Sequence, residues 1–442
     1  MSTREPVKAN MRGWVVTALL ALFMVINFMD KAILGIVAVP LMQELNIDPA
    51  QFGMIASSFF LFFSVSAIGF GFMANRVSSK IVLALLAGIW GLSQLPLAFF
   101  ASVPLLYFSR ILLGIGEGPA YPLALHSCYT WFADDRRNVP SSMIFQGVTA
   151  GLLISGPVLT YIMINHSWHA AFLLLGVASM VWMVLWMLFG GDGQVKNSDK
   201  GAGAAGDRVP YWVLLTDRSF LANMLLYWTS YWIFSVMFTW IPAYMSKVLG
   251  YSAQETGWMF MVFTGVNIPL VFIGSWLSQR MLKRGVASVY ARGWLSCVFV
   301  LLGGVCILSS LYMVENPTAR VLLLALGCNL PQLTFVLSSA IVAEISFDSQ
   351  RSAAMSISSA LATTGGLVAP ALIGHLISNS STLSTGYEQG FMVSAVLAIC
   401  VSLVGVMFIN PEASRRRMQA RTIASTAGST SGSMSVAMRE PS

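Results

Sequence analysis

Two long stretches of this chain, 81–109 and 138–191, contain no Lys, Arg, Asp or Glu. A bilayer-spanning helix needs about 20 consecutive apolar residues, and uncharged stretches of this length are typical of such helices. Charged residues make up 10% of the 442-residue chain, whereas a soluble domain carries about 25%. The sequence therefore argues against a soluble enzyme, a secreted disulfide-rich protein and a disordered chain. It predicts an all-α integral membrane protein.

The apolar segments predict twelve transmembrane helices in two groups of six, one at 13–190 and one at 219–411. A polar linker at 191–218 separates the groups, and residues 1–12 form an N-terminal tail. The segment 412–442 is rich in Ser, Thr and Gly at its end and is predicted to be disordered. The predicted helices span 13–37, 51–74, 80–101, 104–130, 139–164, 168–190, 219–246, 254–280, 289–313, 319–345, 352–378 and 388–410.

The positions of the basic residues predict the orientation. Most of the 25 Lys and Arg lie in the two tails, the linker and the loops that would share their side of the membrane. The positive-inside rule then places both termini in the cytoplasm, and we expect a bacterial inner membrane. Residues in such loops face the bilayer surface, so the net charge of +7 does not indicate nucleic-acid binding. The five Cys and four His lack metal-ligand spacing, and no metal or cofactor is predicted.

The two groups of helices echo each other. Phe72–Arg76 and Trp276–Arg280 both read aromatic, aliphatic, small, amide and Arg, and each ends a predicted helix. Gly156-Pro157 has a counterpart in Gly366–Pro370. A two-fold repeat of six helices is typical of secondary transporters, whose substrate site lies between the halves near the bilayer midplane. The sequence thus predicts two pseudo-symmetric six-helix bundles.

The chain resembles the major facilitator superfamily and, within it, the anion:cation symporter family. The resemblance is carried by Asn27–Lys31, Gly71–Lys80, Arg110–Pro122, Trp131-Phe132 followed by Arg136, and Gly365–Pro370. It covers the whole chain, and the Arg110–Pro122 string is its most specific part. The resemblance implies a transporter that carries organic anions, such as sugar acids, together with protons.

Four charged residues are predicted to lie within the membrane. Asp30 and Lys31 are in the first helix, and Arg110 and Glu117 are seven residues apart on one face of the fourth. A charge at the bilayer centre costs roughly 2.5–3.5 kcal/mol, so such residues are usually paired and functional. The four charges sum to zero, and the residues are expected at similar depths in the membrane, which predicts a buried network. We expect Arg110 to pair with whichever carboxylate is ionised, and Lys31 to accompany Asp30 until substrate claims it.

These four residues receive roles from their chemistry, and the resemblance supports the roles of Asp30, Glu117 and Lys31. Asp30 and Glu117 are predicted to carry protons, with Arg110 as their counterion, and Lys31 to bind the substrate carboxylate. Anion binding to Lys31 would then release Asp30 to take up a proton. The alternative is that the four residues only tie the first helix to the fourth.

Further site residues are predicted from polar or aromatic side chains in apolar spans, for which helix packing is the alternative. Candidates for substrate binding, besides Lys31, are Asn27, Phe28, Gln146, Tyr227, Tyr231, Gln332, Ser359 and Thr363. Candidates for gating are Asn75, Arg76, Lys80, Arg136, Gln279 and Arg280. The family usually has Arg at position 31, Tyr at 28, Asn at 363 and Asp at 75. The first three departures predict a less hydroxylated substrate, and the fourth a weaker gate.

The sequence therefore predicts a monomeric transporter, not an enzyme, that carries a small organic anion with a proton by alternating access. An exporter of drugs or cations is one alternative, but two basic residues facing the cavity favour an anion. An integral-membrane enzyme is another alternative. The four His are spread over different helices and sides, which disfavours it.

Overall fold

The computed structural model describes residues 11–73, 78–132, 136–193, 209–347 and 350–420. These residues form helices joined by short turns, and no strand occurs among them. The helices of the N-terminal half are α1 (Met11–Ile36), α2 (Ala38–Leu45), α3 (Pro49–Met73), α4 (Ser79–Gln94), α5 (Val103–Glu117), α6 (Ala120–Tyr129), α7 (Asn138–Asn165) and α8 (Trp168–Phe189).

The C-terminal half is built in the same way after the short helix α9 (Tyr211–Leu215). Its long helices begin with α10 (Arg218–Lys247), and a single-turn π-helix precedes α13. The other helices are α11 (Ala253–Gly265), α12 (Asn267–Lys283), α13 (Leu295–Tyr312), α14 (Pro317–Asn329), α15 (Thr334–Ile345), α16 (Arg351–Asn379), α17 (Leu383–Phe408) and α18 (411–420).

Eleven of the helical paths are long and apolar enough to cross a membrane. The twelfth predicted span, 104–130, is divided into α5 and α6 by a turn at Gly118 and Pro119. Pro119 lacks a backbone N–H and its ring clashes with the preceding turn, which explains the interruption. The chain is a multi-pass membrane protein with the predicted arrangement of two six-helix halves.

Two predicted boundaries need correction. The segment expected to be disordered begins with α18, in which Ser414 and Met418 are buried. The predicted linker contains α9 and ends in an ordered N-cap, where the Asp217 carboxylate accepts hydrogen bonds from the backbone N–H groups of Ser219 and Phe220. Residues 1–10, 194–208 and 421–442 lie outside the described part of the chain.

Several helices begin where the sequence supplies a side-chain acceptor for their unpaired N–H groups. Ser252 and Glu255 form a complete capping box at the start of α11. Further N-cap acceptors are Ser102 before α5, Ser167 before α8, Asn316 before α14 and Thr382 before α17. The Thr382 cap starts α17 five residues before the predicted helix.

The helices alternate between two ends of the bundle. We call the end that holds Met11, Gly193 and α18 the terminal end, and the other the distal end. At the terminal end Ser219 Oγ bonds Asn410 O at 3.1 Å, which joins the start of α10 to the segment after α17. At the distal end Ala50 N bonds Ser378 Oγ at 2.9 Å, which joins the start of α3 to the end of α16.

Large aromatic side chains fill the core of the N-terminal half. The Phe23 ring lies between Trp90 and Trp182, with ring centroids 4.2 and 4.5 Å apart. The indole N–H of Trp182 donates to Leu19 O at 2.7 Å, so its polar atom is satisfied inside the core. These contacts fix α1 against α4 and α8, and they hold the charged residues of α1 at a defined depth.

Candidate functional site

Lys31 pairs with Glu117 across the contact between α1 and α5. The Lys31 Nζ lies 2.5 Å from Glu117 Oε2, and the Glu117 carboxylate is buried. The same Nζ donates to Asn27 Oδ1 at 2.6 Å, one helical turn earlier, and lies 4.5 Å from the centre of the Phe28 ring. Three predicted site residues thus converge on the Lys31 ammonium group: Asn27 and Phe28 of α1 and Glu117 of α5.

Asp30 takes a different partner from the one predicted. Its Oδ1 accepts a hydrogen bond from Gln94 Nε2 at 2.7 Å, and both side chains are fully buried. The expected pairing of Asp30 with Lys31 is wrong, because consecutive helical residues point about 100° apart. Gln94 ends α4, where the chain turns into a 3₁₀ segment containing Pro96. The sequence analysis missed Gln94, although a lone amide in an uncharged stretch had been used as a signal at Gln146.

Arg110 is buried at 2% exposure and forms no ion pair with a described carboxylate. Its Nε and Nη2 donate to no described group, and the guanidinium carbon lies 5.7 Å from the centre of the Phe172 ring. The expected direct pairing of Arg110 with a carboxylate is therefore wrong in this conformation. Arg110 acts on Glu117 and Asp30 only through longer-range electrostatics. It is a buried cation with unused hydrogen-bonding capacity.

A small cavity lies between the halves at Lys31 and Arg110. Its volume is about 30 Å³, which is room for one or two water molecules. Its lining is formed by Lys31, Leu34, Ala56, Phe59, Phe60, Arg110, Phe234, Phe238 and Thr239. The four Phe residues were not predicted, because an aromatic residue in an apolar span gives no sequence signal that separates lining from packing.

The remaining predicted substrate-binding residues fall into separate groups. Tyr227 and Tyr231 have ring centroids 5.2 Å apart, and their hydroxyls neighbour Ser359. The Thr363 hydroxyl contacts that of Ser64 across the two halves. Gln146 is exposed on α7. The structure thus gathers some of these residues near the cavity, whereas Gln146 is an exposed residue of α7 and does not line the cavity.

Gln332 lies in a chain of amides inside the C-terminal half. Its Oε1 accepts from Asn267 Nδ2 at 2.9 Å, and its Nε2 donates to Asn329 Oδ1 at 2.9 Å. Asn329 Nδ2 in turn donates to Phe263 O at 2.8 Å. The chain ties α12 to the 3₁₀ segment before α15, where Pro331 interrupts the helix. The amide groups of Asn267, Asn329 and Gln332 are therefore hydrogen-bonded to other groups of the protein.

For three of the predicted gating residues, Lys80, Gln279 and Arg280, no hydrogen bond or ion pair across the halves occurs among the described residues. Lys80 Nζ donates to Met187 O at 2.8 Å, which is a contact within the N-terminal half. Gln279 and Arg280 are exposed, and Arg280 lies over the Trp276 ring at 4.9 Å. Arg136 lies just before α7. Asn75 and Arg76, on which the prediction of a weaker gate depends, lie outside the described residues.

The contact between α3 and α16 is a seam that the sequence analysis missed. The two helices run antiparallel, and their small residues lie against each other's backbone: Ser57 Oγ accepts from Ala371 N at 3.1 Å. A Cβ on Gly53 would lie 2.3 Å from Pro370 O. Gly366, Pro370, Gly374 and Ser378 recur every four residues, a spacing that could have revealed the seam. It holds the distal ends of the halves together.

Comparisons with known proteins agree with this architecture. The family model described as Major Facilitator Superfamily matches residues 20–330. A hexuronate transporter of Bacillus subtilis is 24% identical over 400 residues, covering 88% of this chain and 92% of that protein. A probable sulfoacetate transporter of Cupriavidus necator is 26% identical over 414 residues, covering 90% and 94%. A D-galactonate transporter of Escherichia coli is 23% identical over 431 residues, covering 90% and 95%.

Solved structures share the fold. A bacterial homologue of the human lysosomal transporter Spinster, in an inward-facing and unoccupied conformation, superposes with a TM-score of 0.77 at 15% identity, covering 92% of this chain and 98% of that one. A D-xylose-proton symporter gives a TM-score of 0.72 at 13% identity, covering 90% and 98%. The family and these relatives are transporters, and none of them is an enzyme.

Proposed function

Because this chain belongs to the Major Facilitator Superfamily, we propose that it is a secondary transporter that carries a small organic anion together with a proton. The observation that carries the proposal is the buried cluster of Lys31, Glu117 and Arg110 at a cavity between the halves. The relatives named for hexuronate, sulfoacetate and galactonate transport support an anionic substrate.

The charges of the cavity favour an anion over a cation. Its lining residues include Lys31 and Arg110 but no carboxylate. Buried guanidinium N–H groups without acceptors are costly, and an anionic group would supply those acceptors to Arg110. A cation exporter would need an acidic group on this surface, and Glu117 lies behind Lys31 as its counterion.

Proton coupling follows from the shared use of Lys31. When a substrate carboxylate binds the Lys31 ammonium group, Glu117 loses its counterion in a buried setting. A proton taken from water then neutralises Glu117, because an uncompensated buried carboxylate is strongly unfavourable. The proton is released when the substrate leaves and Lys31 returns. This order of events places the coupling at Glu117, whereas the sequence analysis predicted that both Asp30 and Glu117 carry protons and that anion binding to Lys31 releases Asp30 to take one up.

Alternating access would require the halves to separate at one end and approach at the other. The α3–α16 seam closes the distal end, so this conformation corresponds to access from the terminal end. Exposed Lys283, Arg284, Arg415 and Arg416 all lie at that end. The positive-inside rule therefore supports a cytoplasmic location of both termini, in an inner membrane.

The decisive experiment uses purified protein reconstituted in vesicles. Glu117→Gln should still exchange anion between the two sides but lose accumulation driven by a pH gradient. Glu44→Gln is the matched control, because Glu44 is a half-exposed carboxylate at the distal surface. An uncoupler should abolish uphill uptake by the unmodified protein. Accumulation by Glu117→Gln that still follows the pH gradient would contradict this assignment.

A further inference from the structure

The walls of the cavity are apolar on both sides. Apart from the two cations, the lining consists of hydrocarbon side chains and one hydroxyl, that of Thr239. Phe59 and Phe60 face it from α3, and Phe234 and Phe238 from α10. The Phe234 and Phe238 rings lie 4.7 Å apart between centroids and form a continuous aromatic surface.

Two groups of polar side chains beside this surface are already bonded among themselves. The Tyr227 and Tyr231 hydroxyls neighbour Ser359 next to the Phe234 ring, which lies 6.2 Å from that of Tyr231. Ser64 and Thr363 contact each other. A substrate with several hydroxyls would have to displace these contacts, or leave its own hydroxyls without partners when the cavity closes.

Resting on the proposed function, we infer that the substrate is a carboxylate whose body is aromatic or aliphatic and carries few or no hydroxyl groups. Its carboxylate lies against Arg110 and Lys31, and its body lies between the Phe residues of α3 and α10, which move apart to admit it because the cavity in this conformation has room for only one or two water molecules. Aromatic surfaces attract each other in offset or edge-to-face contacts, which suits an aromatic body at this site. The Lys31 ammonium group also lies over the Phe28 ring of α1, 4.5 Å from its centre.

Binding of two probes of equal charge tests this inference. Benzoate and gluconate are each titrated into the purified protein in detergent. An apolar pocket rejects a single added hydroxyl by roughly 100-fold, so we expect benzoate to bind at least about 100-fold more tightly than gluconate. Galactarate, a hydroxylated acid with two carboxylates, and butyrate, a short acid without hydroxyls, extend the comparison.

Two variants test the location. Phe234→Leu and Phe60→Leu keep an apolar side chain but remove an aromatic face, so each should weaken benzoate binding about 2- to 10-fold. Butyrate binding should change much less. Phe108→Leu is the matched control, because Phe108 is exposed on α5 at 55% and faces away from the cavity.

The outcomes separate this inference from the proposed function. Tighter binding of gluconate or galactarate than of benzoate and butyrate would overturn the inference and leave an organic-anion transporter. Binding of none of the four acids would overturn both. Equal loss of benzoate binding in Phe108→Leu and in both cavity variants would overturn the location at the Phe residues of α3 and α10.

Discussion

The two halves line one cavity with different chemistry. The N-terminal half contributes Lys31 and Arg110, with Asp30 and Glu117 behind them, whereas the described lining from the C-terminal half is Phe234, Phe238 and Thr239. The backbone repeat is two-fold, but the charge is not repeated. Both halves therefore supply apolar surface to the cavity, but only the N-terminal half supplies charge.

The bonds within and between the halves differ in the same way. Lys31 pairs with Glu117, and Asp30 accepts a hydrogen bond from Gln94, so these buried polar contacts lie inside the N-terminal half. The described hydrogen bonds between α3 and α16 are neutral ones. Breaking a buried ion pair costs about 3–5 kcal/mol, whereas a neutral hydrogen bond contributes about 0.5–1.5 kcal/mol. The halves can therefore separate along α3 and α16 without separating charges.

The largest expected effect comes from breaking the charge compensation. Lys31→Ala should abolish anion binding and destabilise the protein by about 3–5 kcal/mol, because Glu117 is left buried without a counterion. Lys31→Ala/Glu117→Gln should recover most of the stability but none of the binding. Thermal unfolding and anion titration on both variants measure this. Normal anion binding by Lys31→Ala would refute its role as the carboxylate contact.

The next effect comes from preventing the halves from closing. Gly53→Ala places a Cβ 2.3 Å from Pro370 O, and overpacking of this kind costs about 1–3 kcal/mol, or about a 5- to 150-fold loss of the distal-closed state. Labelling of Ala56→Cys by an impermeant reagent from the distal side should rise accordingly. Gly88→Ala is the control, since its Cβ meets only the flexible Met183 side chain within one half. Unchanged labelling in Gly53→Ala would argue against the seam as a gate.

A smaller effect compares how the two halves anchor their helix starts. Asp217 caps α10 and also accepts bonds from Ser414 Oγ at 2.6 Å and Arg417 Nη2 at 2.7 Å, whereas Ser102 caps α5 with one bond. Asp217→Ala should destabilise by about 2–3 kcal/mol and Ser102→Ala by about 0.5–1 kcal/mol. Chemical unfolding measures the difference. Faster trypsin cleavage in α18 should accompany Asp217→Ala only. Equal cleavage in both variants would show that the Asp217 contacts do not hold α18 in place.

The smallest effect concerns Gln94. Its amide donates a hydrogen bond to the buried Asp30 carboxylate at 2.7 Å. Gln94→Leu leaves this buried acceptor without its donor and should destabilise the protein by about 1–2 kcal/mol. Gln43→Leu, at an exposed position of α2, should leave the stability unchanged. Thermal unfolding measures both variants, and a Gln94→Leu protein as stable as the unmodified one would make Gln94 a packing residue.

The fold could be predicted from the sequence because a membrane-spanning helix has a simple signature, a long stretch without charged residues. The positions of the helices could be predicted from long uncharged stretches. What these stretches did not predict was where a helix is interrupted, as at the turn formed by Gly118 and Pro119 within a predicted single span. The helix α18 was missed because its order depends on tertiary contacts of Ser414 and Met418. The polar, Arg-rich composition of the segment does not indicate such contacts. Composition predicts a bundle, whereas specific contacts order its ends.

The site was predicted in its members but not in its pairings. Depth along the helices correctly grouped Asp30, Lys31, Arg110 and Glu117, since rise per residue is fixed. The prediction of pairs did not take into account the angular position of each residue around the helix axis, which directs Asp30 and Lys31 toward different neighbours. Gln94 was missed because it bears no charge.

The contacts between α3 and α16 allow the two helices to tilt about the middle of the seam. The Ser64–Thr363 contact lies near its middle, and the Ala50–Ser378 bond lies at its tip, about 14 residues or ~21 Å further along α3. A tilt of about 10° around the middle would move the tip by ~4 Å, given that arm length. That displacement breaks a 2.9 Å hydrogen bond at the tip while the central contact hardly changes its length. Small rotations are therefore sufficient to open one end.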